Sequence, residues 1–238
     1  MIVIQYILFA LTTTLLAFVY PISGYYQQKK FVKENSRISN SKISWYKESM
    51  LWAWTPTIII VTVIILCGFE LQDIGIRPIN LSAHSLRGWI VYPSVFIFLI
   101  YFGYNIYSII VLKFSKESRK HSLKQLPCNL ISMLPVTKKE KRVWSYVAVT
   151  AGITEEIQYR GYIFFAIPLL FPGISVAIVL AISTFLFGIG HIYQEKSAIR
   201  PTLAGLLFGS LYIVFDSIIP IILLHIVQDL VVRDLLDE

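Results

Sequence analysis

The sequence predicts an all-α protein: a polytopic transmembrane helical bundle of about seven spans, N-terminus outside and C-terminus cytoplasmic. Three observations carry this reading. Of 238 residues, 56% are hydrophobic and 15% charged, and mean hydropathy is +0.67, whereas soluble domains carry about 25% charged residues. The apolar residues gather in runs, and a hydrocarbon core about 30 Å thick takes roughly 20 helical residues to cross. Most of the 21 lysines and arginines then fall in alternate connections between those runs, as positive-inside loops do. A disordered chain, a disulfide scaffold and an ordinary soluble enzyme are excluded. The two cysteines, Cys67 in an apolar run and Cys128 in a basic loop, give neither a framework nor a metal-ligand spacing.

The elements follow in order. Residues 2–20 are uncharged and lack both a basic leading region and an Ala-x-Ala-type cleavage site, so they read as a retained first span. A basic loop over 21–49 holds Lys29, Lys30, Lys33, Arg37, Lys42 and Lys47. Residues 50–69 and 88–112 are the second and third spans, and the connection between them has only Arg77 and Arg87. The third loop, 113–142, is the richest in lysine and arginine. Within it, residues 123–134 mix leucines with Pro127 and read as a stretch along the inner interface.

The fourth span, 143–170, is interrupted by Glu155, Glu156 and Arg160, and Pro168, Pro172 and Gly173 mark the turn behind it. Spans five to seven are 174–193, 201–215 and 218–235. The tryptophans, including Trp144, read as interfacial belt residues, and Gly205-x-x-x-Gly209 reads as a close helix-packing face. The chain divides into residues 1–137, the N-terminal transmembrane helices and basic cytoplasmic loops, and 138–238, a core of helices four to seven. The net charge of +7 is therefore membrane topology and predicts no nucleic-acid partner. No internal repeat supports an inverted-repeat transporter.

The chemistry must come from polar groups that lipid makes costly. A carboxylate or arginine at a helix centre costs about 2.5–3.5 kcal/mol on insertion scales, and the fourth span carries three such groups in Glu155-Glu156-Ile157-Gln158-Tyr159-Arg160. Glu156 and Arg160 stand at i and i+4, where they can pair. Glu155 points about 100° away and has Tyr159 at its own i+4 position. An unpaired acid in that setting is a candidate general base or acid. His191 closes the fifth span, and His225 and Asp229 stack at i and i+4 on the seventh. Counted from the basic boundaries at about 1.5 Å per residue, Glu155, His191, His225 and Asp229 can meet in the inner half of the membrane if spans four, five and seven are neighbours. Taken singly, each motif also has a bland use: an ion-pair lock between helices, an interfacial histidine, a satisfied hydrogen-bond pair.

Together, Glu155-Glu156-x-x-x-Arg160, Phe187-x-x-x-His191 and His225-x-x-x-Asp229, in that order on successive spans, resemble the CAAX prenyl protease 2 / Abi-like (bacteriocin-processing) family of intramembrane endopeptidases. Asp73-Ile74-Gly75-Ile76-Arg77 is similar to a phrase found before the core in that family. The resemblance spans roughly 138–234. It implies that Glu155 and His191 activate a water for attack on a peptide carbonyl, that His225 and Asp229 face the oxyanion, and that Glu156 with Arg160 supports the helix. Asparagine is expected where this chain has Asp229, which must then be protonated, orient His225 or ligate something.

No cofactor is implied. By ligand type, Glu155, His191, His225 and Asp229 could hold zinc, but there is no His-Glu-x-x-His segment, and the metal-free mechanism is the expectation. The partners expected are the bilayer and a membrane peptide or lipidated protein substrate, and the location expected is a cell membrane, the bacterial plasma membrane. Two other classes stay open: a transporter or proton relay, and a non-catalytic immunity or regulatory scaffold.

Overall fold

The computed structural model describes residues 3–35, 41–81 and 88–236, and among them there is no strand. Helix α1 (Val3–Thr14) runs through a π-helical turn (Leu15–Val19) into α2 (Tyr20–Asn35). The π turn stands just before Pro21, which has no amide proton for the preceding turn. The basic loop expected over 21–49 is thus largely helical, because α2 continues the first rod and α3 (Ser41–Leu66) already begins at Ser41. A 3₁₀ turn (Leu71–Ile74) follows, then α4 (Gly88–Phe114), the short α5 (Lys116–Leu123) and α6 (Cys128–Ile131). Helix α7 (Lys138–Glu155) starts on a capping box between Thr137 and Glu140, which satisfies amide donors at the helix start. It passes through a π-helix (Glu156–Tyr162) into α8 (Ile163–Leu170). Helix α9 (Val176–Gly190), a 3₁₀ segment (Ile192–Ala198), α10 (Ile199–Phe215), α11 (Ile219–Leu230) and a 3₁₀ turn (Val231–Asp234) complete the order.

Four stretches among the described residues are long and apolar enough to cross a membrane: Val3–Phe31, Lys42–Leu66, Gly88–Phe114 and Ile192–Phe215. The other expected spans fall on helices that are charged or short. The fourth carries Glu155, Glu156 and Arg160; α9 is a shorter apolar helix, and α11 has 12 residues.

The α7–π–α8 rod is the axis of the bundle. Helix α7 lies between α3 and α11, α8 touches α1 and α9, and α9 packs on α10. Phe9, Ile60, Ile64, Tyr162, Ile163, Phe208, Ile218 and Leu224 are fully buried in the shared core. Small residues set the closest approaches. A β-carbon on Gly152 would stand 2.5 Å from Ile226 Cγ1 and 3.2 Å from the Ile222 carbonyl, so α7 and α11 meet almost backbone to backbone there. Gly205 and Gly209 seat Phe187 and Leu180 of α9 in the same way, the packing face expected from their spacing.

The Asp73–Arg77 phrase clamps the far turn of this core. Ile218 N donates to Gly75 O at 2.9 Å, Arg77 Nε donates to Asp216 O at 2.7 Å, and the Arg77 guanidinium pairs with the Asp216 carboxylate. Gly75 has φ +77°, a conformation glycine adopts without penalty, and the Ile74 carbonyl lies against Gly161, where a β-carbon would come within 2.7 Å. At the opposite end, Leu134 is buried with Leu112 and Leu235, and Tyr46 donates its hydroxyl to Met133 O at 2.6 Å. Within residues 123–134, Leu123 and Leu126 pack against the buried cluster of Leu112, Leu134 and Leu235.

Candidate active site

Residue 155 ends the α-helical stretch of α7, and 156 begins the π-helix, which adds one residue to the turn. π-bulges of this kind cluster at functional sites. Every residue from Glu156 to Tyr162 is buried. Glu156 and Arg160 pair at 2.9 Å with both side chains fully buried, as their spacing predicts. Arg160 also donates to the Gly205 carbonyl at 3.1 Å. Its guanidinium lies 4.4 Å from the Phe187 ring centroid and 5.5 Å from that of Phe208, so two aromatic faces carry part of the charge. One arginine thus ties the π-helix to α9 and α10.

The two adjacent carboxylates, expected to diverge, reach the same imidazole. Glu156 Oε1 lies 2.7 Å from His225 Nδ1, and Glu155 Oε2 lies 3.8 Å from His225 Nε2. Asp229 Oδ2, one turn along α11, is 3.7 Å from that same Nε2. The ring is 4% exposed, against 19% for the Glu155 side chain and 31% for Asp229. This convergence depends on the close approach at Gly152, which lets α11 bring His225 down onto the end of α7.

Each nitrogen of His225 has a distinct task. A carboxylate only accepts, so the short contact to Glu156 makes Nδ1 a donor and sets the plane of the ring. Nε2 is then directed at Glu155 and Asp229. Contacts of 3.7–3.8 Å are too long for direct hydrogen bonds but fit groups that share one small polar molecule. Glu155 Oε2 is itself buried and accepts no hydrogen bond. Three carboxylates here face one guanidinium and two imidazoles.

His191 stands at the edge of this cluster. It caps α9, and its Nδ1 donates to the Phe187 carbonyl at 2.8 Å, leaving Nε2 as the acceptor in the neutral ring. Phe187 lies between the two histidines, 4.6 Å from the His191 ring and 6.2 Å from that of His225. His191 interacts electrostatically with both His225 and Asp229. The α7–π–α8 rod packs against α11 on one side and α9 on the other. His225 Nε2, at 3.8 Å, is brought up to the Glu155 carboxylate. The chain behind His191 is strained: Glu195 has φ +53° and ψ −128°, a region non-glycine residues rarely occupy, at a cost of about 1–3 kcal/mol.

Among the described residues, no three His, Cys, Asp or Glu side chains converge in a way that could hold a metal ion. Two supporting residues carried no chemical signal in the sequence. Phe208 packs its ring 5.5 Å from His225. Trp144, read as a belt residue, donates its indole N–H to the Asp229 carbonyl at 3.0 Å, anchoring the end of α11 to α7.

Residues 140–231, the segment containing every one of these groups, match the family described as Type II CAAX prenyl endopeptidase Rce1-like. No curated protein and no solved structure gives a significant match.

Proposed function

We propose that this chain, Rce1-like over residues 140–231, is a membrane-embedded endopeptidase that hydrolyses a peptide bond of a membrane peptide or lipidated protein near the cytoplasmic face. The observation that carries the reading is the buried His225 ring, with Glu156 at one nitrogen and Glu155 and Asp229 at the other. The proposal includes seven spans with the N-terminus outside, supported by the alternation of basic connections. It also takes residues 138–238 as the catalytic core.

The chemistry follows from the geometry. A water between Glu155 and the imidazoles gives a proton to the Glu155 carboxylate as its oxygen bonds to the peptide carbonyl carbon. The carbonyl π electrons move onto oxygen. As an imidazolium, His225 offers Nε2–H to that developing oxyanion, while Glu156 holds Nδ1. Asp229 balances the imidazolium charge rather than facing the oxyanion, which an ionised carboxylate would repel. The intermediate collapses as the C–N bond breaks, and the amine takes the proton held by Glu155. His191 Nε2, free to accept, shares that proton during the transfer. No metal enters these steps.

The test uses the purified chain in sealed proteoliposomes with two internally quenched peptides: one farnesylated at a CAAX cysteine, one an unprenylated hydrophobic leader-type peptide. Cleavage of either that depends on Glu155 supports the proposal and shows which substrate class is preferred. Glu155-dependent proton flux without a peptide product indicates the relay instead. Cleavage that survives Glu155→Gln removes the mechanism.

A further inference from the structure

A second feature lies away from the acid–histidine cluster, where α4 ends. Helix α4 is one of the membrane-length helices and stops at Phe114. Two residues on, α5 begins with Ser115 as its cap and turns back against the C-terminal segment. Between them is an open cleft of about 600 Å³ rimmed by Lys116, Arg119, Lys120 and Lys124. Its floor is leucine: Leu123, Leu235 and Leu236, continuous with the buried cluster of Leu112 and Leu134. Among the described residues, none of those lining it is a carboxylate. Arg119 Nη1 donates to the Leu112 and Lys113 carbonyls at 3.0 and 3.1 Å, so it closes the end of α4 and fixes that side of the rim.

We infer that this cleft binds the headgroup of an anionic phospholipid, with the rim of α5 on its phosphate and the leucine floor against the start of its acyl chains. Three properties select this ligand. The charged groups among its described lining are all basic and lie within nine residues of α5 and its end, which favours an anion. The floor is apolar, which a free inorganic anion would not use. The position is the first turn beyond a helix long and apolar enough to cross a membrane, where basic clusters act as lipid sites. Because Leu235 and Leu236 directly follow the turn after α11, the lipid sits against the end of the helix that carries His225 and Asp229.

The full chain in a neutral maltoside detergent is titrated with dioctanoyl phosphatidylglycerol, with dioctanoyl phosphatidylcholine and with inorganic phosphate, and the thermal midpoint is followed. Phosphatidylglycerol raises the midpoint saturably; phosphatidylcholine and phosphate do not. Each basic residue near an anionic lipid contributes about 1 kcal/mol, or about fivefold in affinity. Lys116→Gln/Lys120→Gln/Lys124→Gln therefore weakens phosphatidylglycerol on the order of 100-fold. Lys138→Gln/Lys139→Gln, in the first turn of α7, leaves it unchanged. An equal response to phosphatidylcholine, an equal response to phosphate alone, or full retention of affinity in the triple variant overturns the inference. Should the triple variant fold poorly, single Lys120→Gln and Lys124→Gln variants, each expected to lose about fivefold, decide it.

Discussion

Glu156 holds His225: its Oε1 accepts the Nδ1 proton of that ring at 2.7 Å while also accepting from Arg160 at 2.9 Å. One carboxylate oxygen thereby joins the π-helix to α11 and sets where Nε2 points. Structural support and proposed chemistry are not separable at this atom, and the predictions divide along that line.

Glu155→Gln removes the proposed base and leaves the hydrogen bonds of Glu156 with Arg160 and His225 intact. Peptide cleavage falls by about 10²–10⁴-fold, the usual share of general acid–base catalysis. The thermal midpoint in detergent stays close to that of the unaltered chain. An equally large loss of stability would mean that position 155 is structural.

Arg160→Met leaves Glu156 as a buried carboxylate without its guanidinium. Breaking a buried pair from one side costs about 3–5 kcal/mol, so the variant unfolds at a markedly lower temperature. Glu156→Gln/Arg160→Met recovers part of the loss, because no unpaired charge then remains in the core. A double-mutant cycle on the thermal midpoint measures this coupling.

Gly152→Ala places a methyl group 2.5 Å from Ile226 Cγ1 and 3.1 Å from the Ile226 amide nitrogen. Overpacking of this kind costs about 1–3 kcal/mol, and relief comes from moving α11 away from α7. Cleavage therefore falls more than stability does, since His225 moves off Glu155. Gly24→Ala, with nothing within 4 Å of its new carbon, is the matched control and leaves cleavage unchanged.

Asp229→Asn keeps a polar group beside Nε2 and supplies the amide that the family pattern expects. Cleavage stays within about tenfold of the unaltered chain, whereas Asp229→Ala loses more, a spread ordinary for one polar contact of about 1.5–3 kcal/mol. A collapse of activity in the asparagine variant would assign Asp229 a proton-transfer role instead.

Part of this was legible along the chain. Glu156 and Arg160 announce their pairing because i and i+4 positions meet on any helix, and the Gly205–Gly209 spacing foretells tight packing. The apolar runs at 2–20, 50–69 and 88–112 were visible because lipid crossing demands length and hydropathy together. Other features were not visible. The helical continuation through residues 21–35 was hidden because basic and polar residues form helix as readily as loop. Trp144 reads as a belt residue until α11 is seen beside it.

Taken alone, the order of residues established a helical membrane chain and the identity of its costly polar groups, since hydropathy and helical period act over a few turns. Which of those groups meet was decided only by the folded bundle. Glu156 bonds one nitrogen of His225 while Glu155 stands 3.8 Å from the other because Gly152 admits α11, and the bonded contact joins residues about 70 positions apart. No local periodicity encodes it; the packing of whole helices does.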